Sequence, residues 1–352
     1  MAATSGHGAG YWPVAASAAE IAIMIDDKTI AVVIPSYNVE RLVARVVQTL
    51  PEFVDFAVVV NDASQDGTEA VLRELAGQEP WTERLIIIDH EVNRGVGAAI
   101  ATGYKWCRDQ GIDVTAVMAG DGQMDPENLR AVVQPVVEGI VDYAKGNRLV
   151  TPQVLSKIPK VRLFGNSILS LLTKIASGYW HVSDSQTGYT AASLRVLQTI
   201  DLDKIYPRYG MPNDMLVKLN IYNFRVMDVP VAPVYNVGEQ SGIKIGRVVF
   251  TISFLLVRLF FKRLYIKYVL YDFHPLVLFY CMGGFLITCS VVLGLAFFVW
   301  SMSTGVRIPT GWLLVCAVGF IGGMHSTMFA MWLDMDFNRQ YYVMHKDMRP
   351  RA

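Results

Sequence analysis

The chain has 352 residues, and its 31 basic and 31 acidic side chains give a net charge of zero. This balance excludes nucleic acid as an expected partner, because binding it requires a basic surface. The four cysteines have neither zinc-ligand spacing nor the pattern of a disulfide framework, which fits a reducing compartment. The 53% hydrophobic content is high for a soluble protein, and much of the apolar excess follows Val248.

The N-terminal residues are mostly small or polar, with acidic side chains at Asp26 and Asp27 and no basic start. They lack a cleavable apolar core, so we expect a tail and not a signal peptide. From composition and periodicity the chain divides into a tail (1–28), an α/β domain (29–240), an amphipathic juxtamembrane segment (241–272), a transmembrane hairpin (273–336) and a C-terminal tail (337–352).

The α/β domain shows short apolar runs that alternate with helical patterns. Strands are predicted over residues 29–35, 56–61, 85–89 and 114–119, and helices over 39–50, 68–76, 97–110 and 126–138. This alternation predicts a mostly parallel sheet. Ligands bind beyond the carboxyl ends of the strands in such sheets, and the unusual residues of this domain collect at those ends.

Residues 241–272 contain polar side chains that share one helical face. At 100° per residue, five of them fall within about 60° of one another: Lys244, Arg247, Thr251, Arg258 and Lys262. The rest of this helix is mainly valine, isoleucine, phenylalanine and leucine. The pattern predicts an amphipathic helix in the membrane interface, with its basic side chains toward lipid phosphates. Packing of the helix on the α/β domain is the alternative.

Two apolar stretches without charged residues, Leu276–Trp300 and Ile308–Leu333, each exceed the length of about 20 residues that crosses a bilayer core. Basic side chains flank this hairpin on one side, at Arg258, Lys262, Arg263, Lys267, Arg339, Lys346, Arg349 and Arg351. Only Arg307 lies between the spans, so the positive-inside rule predicts a multi-pass protein of the cell (inner) membrane with its α/β domain and C-terminus in the cytoplasm.

Four motifs at predicted strand ends carry a family resemblance. The ordered set V-I-P-S-Y-N (33–38), V-N-D-A-S-Q-D-G-T (60–68), N-R-G-V-G-A-A (93–99) and G-D-G-Q-M-D-P-E (120–127) resembles the nucleotide-binding half of inverting family 2 glycosyltransferases with a GT-A fold. Further matches are K-G-N-R (145–148), Arg162 followed by Asn166-Ser167, D-S-Q-T-G-Y (184–189) and Asp214. These resemble the branch of dolichol-phosphate mannose synthase and bacterial polyprenyl-phosphate glycosyltransferases. The resemblance covers residues 29–244.

The resemblance implies a site for a UDP- or GDP-sugar donor. The matching positions are Pro35, Tyr37, Asp62, Asn93, Arg94, Asp121, Ser241 and Lys244. In the family pattern Pro35 and Tyr37 wall the base pocket, and Asp62 reads the base. Ser241 and Lys244 match a mobile segment that closes over the donor phosphates, although a fixed linker is an equal alternative.

A divalent metal, Mg²⁺ or Mn²⁺, is the implied cofactor, with Asp121 and Gln123 at the matching metal-binding positions. A hard cation on oxygen ligands would offset the charge that grows on the diphosphate leaving group. The family usually has a D-x-D pair, but Ala119 stands at the first position of that pair. Asp125 precedes Pro126, and we interpret it as a helix N-cap.

The implied acceptor is a polyprenyl phosphate, which is already largely dianionic at neutral pH and needs no general base. Arg148 and Arg162 match the arginines that grip the lipid phosphate, and guanidinium groups suit phosphate oxygens. Each could instead form a surface salt bridge. Asp184 orients an arginine or the sugar. The expected catalytic set is Asp121, Arg148, Arg162 and Asp184, and the resemblance also implies a homo-oligomer, a tetramer.

Two other functions stay open at this stage. One is a family 2 transferase that acts on a sugar, lipid or peptide hydroxyl. The other is a membrane scaffold with a degenerate α/β domain, for which Ala119 is the main argument. Inside the second span, His325 has Gly322, Gly323 and Ser326 as neighbours, and we interpret it as a hydrogen-bonding residue at a helix interface.

Overall fold

A computed structural model describes residues 25, 27–149, 160–232, 234 and 245–344. Its centre is an eight-stranded sheet with the order β3-β2-β1-β4-β6-β5-β7-β8. The strands are β1 (Ile30–Ser36), β2 (Phe56–Asn61), β3 (Leu85–Asp89), β4 (Val114–Val117), β5 (Tyr143–Asn147), β6 (Thr190–Ser193), β7 (Val226–Pro230) and β8 (Tyr342–Met344). Strand β6 runs antiparallel to both neighbours, and every other pair is parallel. The predicted mostly parallel sheet is therefore confirmed.

The described α-helices are α1 (Val43–Gln48), α2 (Thr68–Ala76), α3 (Val96–Asp109), α4 (Leu129–Val137), α5 (Lys160–Ser177), α6 (Leu194–Thr199), α7 (Met211–Ile221), α8 (Ile245–Tyr265), α9 (Leu276–Thr304) and α10 (Thr310–Asn338). Alternate residues of the central strands face opposite sides of the sheet. One apolar cluster packs β1 and β2 against α1, α2 and α4, and a second packs them against α3, α6 and α7. The sheet therefore has helices on both faces.

The register of the strands brings the loops that carry the predicted site residues to one edge of the sheet. Ser36 pairs with Asn61 at the ends of β1 and β2. Because β6 is antiparallel, its first residue, Thr190, pairs with Val117 at the end of β4 and with Lys145 in β5. The loop before β6 therefore lies beside the loops that follow the parallel strands.

The predicted bounds of β2, β3 and α2 agree with the structure. Helix α1 begins at Val43 and not at Val39, because residues 38–40 bond to a neighbouring loop. Residue Asn38 has a φ of 53°, in the left-handed region. Residues Pro126–Asn128 form a 3₁₀ turn before α4, and the Asp125 side chain accepts a hydrogen bond from the Glu127 N–H. The N-cap interpretation of Asp125 is confirmed.

Helices α9 and α10 are candidate membrane spans by length and composition. Their close contact depends on small residues, since a Cβ at Gly283 would lie 2.9 Å from the Gly323 carbonyl oxygen. Ser326 donates from Oγ to the Phe279 carbonyl at 2.8 Å and so links the two helices. His325 is exposed, and its Nδ1 lies 2.9 Å from the Ile321 carbonyl of its own helix. The cross-helix bond expected for His325 is therefore made by its neighbour.

Helix α8 has three distinct faces. Ile252, Leu256 and Leu259 are buried in a cluster with residues of α5 and α7, so packing on the α/β domain is confirmed for this face. The opposite face exposes a stripe of large apolar side chains: Phe250, Phe254, Val257, Phe261 and Tyr265. At 100° per residue, exposed Arg258 and Lys262 lie about 60–100° from the centre of that stripe. The side chains of Lys244 and Arg247 fall outside the described residues, and the membrane contact stays a prediction.

A buried ion pair joins α8 to the second span. Arg263 donates from Nη1 and Nη2 to the two carboxylate oxygens of Asp334, at 2.8 and 2.7 Å. The two side chains are 0% and 1% exposed. Arg263 also donates to the carbonyl groups of Ile175 and Ala176 at the end of α5, at 3.0 and 2.8 Å. Arg263, predicted only as a flanking positive charge, thus connects the α/β domain to the second candidate span.

Strand β8 returns the chain from the second span to the sheet. Residues 337–352 were expected to form a tail, yet Tyr342–Met344 pair in parallel with β7. The Tyr342 hydroxyl donates to the Gly178 carbonyl at 2.7 Å and accepts from the Trp180 N–H at 3.1 Å. A single 3₁₀ turn, Arg339–Tyr341, separates β8 from α10, so the span ends directly against the sheet edge.

Candidate active site

The loops after β1 and β2 interlock through side-chain hydrogen bonds. Asn38 donates its N–H to Ser64 Oγ at 3.0 Å and accepts at Oδ1 from the Gln65 N–H at 2.8 Å. The Glu40 N–H donates to Asp66, and Glu40 accepts from the Gly67 N–H. These bonds fix the backbone that directly follows Tyr37. Pro35 lies in β1, and Tyr37 is 45% exposed at its end, so Tyr37 is accessible to a ligand, as its predicted role in the base pocket requires.

Asp62 follows β2 and organises the loop after β3. Its Oδ1 accepts from His90 Nδ1 at 2.7 Å and from the Arg94 N–H at 2.8 Å, and its Oδ2 accepts from the Gly95 N–H at 2.7 Å. The carboxylate is buried. Among the described residues Oδ2 has this one partner, so it retains acceptor capacity. Asp62 therefore fixes the loop after β3 that carries Asn93, Arg94 and Gly95, which we call the donor loop. The contact of Asp62 with a base stays a prediction.

The donor loop runs into the N-terminus of α3 with little free space. Gly95 has a φ of 95°, and a Cβ there would lie 2.6 Å from the Pro207 carbonyl oxygen. Only glycine tolerates this conformation and this close approach. The side chains of Asn93 and Arg94 are exposed beside the sheet edge, where they could reach a donor.

Asp214 has a structural partner in the described region. It pairs with Lys218 one turn later in α7, and both side chains are buried. Its Oδ2 also accepts from the Tyr206 N–H at 2.9 Å. Asp214 therefore fixes the 206–208 segment that packs against the donor loop.

Asp121 and Gln123 form a tight turn shortly after β4. Asp121 Oδ1 accepts from the Gln123 N–H at 3.1 Å, which orients the carboxylate. A Cβ at Gly120 would lie 2.6 Å from Ser36 Oγ, so the turn sits directly on the end of β1. Met124 reaches the loop before β6, where its Cε lies 3.5 Å from a Cβ built at Gly188. The turn therefore lies between the end of β1 and the 184–189 loop.

The donor atoms of this turn suit a hard cation. No three His, Cys, Asp or Glu side chains gather into a metal site within the described ranges, so a structural zinc site does not fit them. Mg²⁺ commonly uses one or two carboxylates and takes its other ligands from water and substrate phosphates. One oriented carboxylate beside an amide oxygen, at a sheet edge where a diphosphate could bind, fits that chemistry. Metal binding by Asp121 and Gln123 stays a prediction.

Arg148 and Asp184 form a two-point ion pair at the same edge. Arg148 Nε and Nη2 donate to the two Asp184 oxygens at 2.7 and 3.1 Å, and the Arg148 N–H adds a third bond at 3.2 Å. The Asp184 side chain is 4% exposed and that of Arg148 is 40% exposed. Burial alone would raise the pKa of Asp184, but the hydrogen bonds and charge of Arg148 bring it below its ordinary value. Asp184 is thus an ionised carboxylate that orients an arginine.

Two charged residues beside this pair were not predicted. Lys145 lies buried in β5, and Asp228 is half-buried in β7 with its Oδ1 inaccessible. The signal for Lys145 is its place inside a buried strand within K-G-N-R, where a lysine is unusual. Asp228 accepts from the Ser183 N–H at 2.7 Å and from Asn147 Nδ2 at 2.9 Å.

Three predicted site residues fall outside the described side chains. The backbone of Arg162 lies in α5, but its side chain is not described, and Ser241 and Lys244 lie wholly outside the described residues. Their roles stay predictions. The described members that meet at the sheet edge are Pro35, Tyr37, Asp62, Asn93, Arg94, Asp121, Gln123, Arg148 and Asp184.

Comparisons with known proteins identify the family of this chain. The model of glycosyl transferase family 2 matches residues 31–201. An undecaprenyl-phosphate mannosyltransferase from Micrococcus luteus is 30% identical over 229 residues, which cover 63% of this chain and 91% of that protein.

 A UDP-N-acetylglucosamine–dolichyl-phosphate N-acetylglucosaminyltransferase from Methanococcus voltae is 29% identical over 237 residues, covering 64% of this chain and 94% of that protein.

One solved structure shows the same fold. Glucosyl-3-phosphoglycerate synthase from Mycobacterium tuberculosis, in complex with Mn²⁺, UDP and glucosyl-3-phosphoglycerate, superposes with a TM-score of 0.52 at 16% identity. The match covers 74% of this chain and 86% of that one. At this identity the likeness establishes the fold alone, which is the GT-A fold that the sequence predicts.

Proposed function

Because the chain belongs to glycosyl transferase family 2, we propose that it transfers one sugar, with inversion, from a nucleotide-sugar to a polyprenyl phosphate. The observation that carries this proposal is the Arg148–Asp184 pair, which presents an oriented guanidinium at the sheet edge. Guanidinium groups bind phosphate oxygens well, and a lipid acceptor accounts for the two candidate spans. Several relatives are named for transfer to dolichyl or undecaprenyl phosphate.

On the donor side, the proposed ligand is a UDP- or GDP-sugar. Its base would lie near Tyr37 and Asp62, and its diphosphate would face the turn of Asp121 and Gln123. These two residues would hold a divalent cation, Mg²⁺ or Mn²⁺, which when bound offsets the negative charge of the departing diphosphate. Asn93 and Arg94 would border the donor from the loop that Asp62 holds.

On the acceptor side, the phosphate oxygen would attack C1 of the sugar directly, and the bond from C1 to the diphosphate would break. A phosphate dianion needs no general base for this step, so the chain has only to position it. Asp184 is poorly suited as a base, because both of its oxygens bond to Arg148 and its pKa is held low. We assign Arg148, together with Arg162, to binding the acceptor phosphate.

We place the reaction at the cytoplasmic face of the cell (inner) membrane, on the basis of the charge asymmetry around the hairpin. The exposed apolar stripe of α8 would enter the interface, while Arg258 and Lys262 would lie at the level of the lipid phosphates. A homo-oligomer, a tetramer, remains an expectation from the family.

A hydroxyl acceptor is the remaining rival within the family. It would require a general base, and Asp184, the described carboxylate beside Arg148, has both oxygens bonded to that arginine. The scaffold hypothesis is not retained, because the chain and its relatives are glycosyltransferases.

The test is a panel of nucleotide-sugars incubated with membranes or purified protein and polyprenyl phosphate. The matched control acceptor is the corresponding polyprenol, which has the same chain but no phosphate. We expect transfer to the phosphate and none to the alcohol. Equal transfer to both, or transfer to the alcohol alone, would contradict the proposal.

A further inference from the structure

Lys145 is a buried lysine at the acceptor side of the site. It is 1% exposed and lies in the middle of β5. Its Cα is paired with Asp228 in β7 and with Thr190 in β6. Side chains of paired residues in a sheet project to the same face, so Lys145 and Asp228 stand side by side.

The ammonium of Lys145 is bonded to the loop that carries Asp184. Its Nζ donates to the Thr187 carbonyl, and Asp184 stands three residues earlier in the same loop. Burial lowers the pKa of Lys145 to about 8, against the opposing effect of Asp184 and Asp228. The side chain therefore stays largely charged at neutral pH.

The charge of Lys145 acts on two acidic groups, Asp184 and Asp228. Asp184 is ionised and holds Arg148, whereas burial raises the pKa of Asp228 to about 7. Among the described residues, buried Asp228 Oδ1 has no hydrogen-bond partner, and its Oδ2 accepts from two neutral donors, the Ser183 N–H and Asn147 Nδ2. Lys145 and Arg148 are the cations whose charges act on this group of carboxylates.

Resting on the proposed function, we propose that Lys145 is a positioning residue for the acceptor phosphate. Its ammonium offsets the charges of Asp184 and Asp228 and fastens the 184–189 loop to β5. Asp184 then keeps both oxygens on Arg148, and the guanidinium is presented in one orientation. Lys145 itself is too deeply buried to contact the lipid.

Lys145→Met removes the charge and keeps a similar length. We expect the KM for polyprenyl phosphate to rise about 10- to 100-fold, as for loss of charge-assisted hydrogen bonding. The dissociation constant of the nucleotide should change little, because the described interactions of Lys145 are with Thr187, Asp184, Asp228 and Arg148. Lys105→Met, which removes a lysine paired with Asp203 at the surface of α3, is the matched control and should leave both constants unchanged.

A second variant separates charge from packing. In Lys145→Met/Asp228→Asn the carboxyl group of Asp228 is also removed. The comparison is made at alkaline pH, where Asp228 of the single variant is ionised, because burial raises the pKa of this group. There the KM for polyprenyl phosphate should recover by about tenfold relative to Lys145→Met. An unchanged KM in Lys145→Met, or no recovery in the double variant, would overturn the inference.

Thermal unfolding gives a readout that is independent of transfer. The four proteins compared, at the same alkaline pH, are the unaltered protein, Lys145→Met, Asp228→Asn and the double variant. The inference predicts that the two substitutions are non-additive, with the double variant unfolding at a higher temperature than Lys145→Met. Additive midpoints would overturn it even if Lys145→Met is too unstable for kinetics. Absence of transfer to phosphate by the unaltered protein would instead overturn the proposed function, so the two failures are distinguishable.

Discussion

The buried pair of Arg263 and Asp334 offers a quantitative test of how the α/β domain is attached to the two candidate spans. The two residues are 71 positions apart in sequence and exchange two hydrogen bonds. Arg263→Met leaves Asp334 buried with Tyr268 and Asn338 as its remaining partners. An uncompensated buried charge of this kind costs about 3–5 kcal/mol.

That loss should lower the midpoint of thermal unfolding by roughly 6–20 °C for a domain of this size. The assay is thermal unfolding of the full chain in lipid nanodiscs. Arg258→Met on the same helix is the matched control, because Arg258 is exposed and its loss should change stability by no more than about 0.5 kcal/mol.

The double variant Arg263→Met/Asp334→Leu removes both charges and should recover most of the lost stability, since apolar replacements of buried pairs are often tolerated. The reasoning would be refuted if Arg263→Met unfolded at the same temperature as Arg258→Met. It would also fail if the double variant were less stable than the single one.

Three further predictions concern the site and the topology. Asp121→Asn should reduce turnover by at least about 100-fold with little change in unfolding temperature. Excess chelator should abolish the activity of the unaltered protein, and full activity in chelator would refute the metal role. Arg148→Ala should raise the KM for polyprenyl phosphate about 10- to 100-fold, while nucleotide binding, measured by titration calorimetry, persists. Loss of nucleotide binding with lipid binding intact would reverse the assignment. The topology is tested in a background in which Cys107, Cys281, Cys289 and Cys316 are replaced. Ser303→Cys should react with a membrane-impermeant thiol reagent on intact cells, and Arg349→Cys should not. The opposite pattern would place the α/β domain outside the cell.

Local sequence patterns predicted the strand ends and their loops, because apolar runs and turn residues act over a few positions. The bounds of β2 and β3 and the N-cap role of Asp125 are confirmed for this reason. Asp184 was expected to orient an arginine or the sugar, and its two bonds to Arg148 support the first option.

Features that depend on distant partners were not predictable from one sequence. The pairing of Lys145 with Asp228 follows from the sheet order, which places β5 beside β7. Arg263 and Lys262 are adjacent basic residues in the sequence, and nothing local distinguishes their environments. Lys262 is exposed, whereas Arg263 is buried because α8 packs against α10, where Asp334 lies. Strand β8 has three residues, too few for a periodic pattern, and exists because the end of the second span meets the sheet edge.

The central claim is that the phosphate of a polyprenyl phosphate is the nucleophile. The most direct measurement uses acceptor whose non-bridging phosphate oxygens carry ¹⁸O, followed by mass spectrometry and anomeric analysis of the product. The account predicts a polyprenyl-phosphate sugar with inverted configuration, all of the label in the lipid product and none in the released nucleotide. A product in which the sugar is bonded to a hydroxyl oxygen, with the labelled phosphate left unmodified, would contradict it.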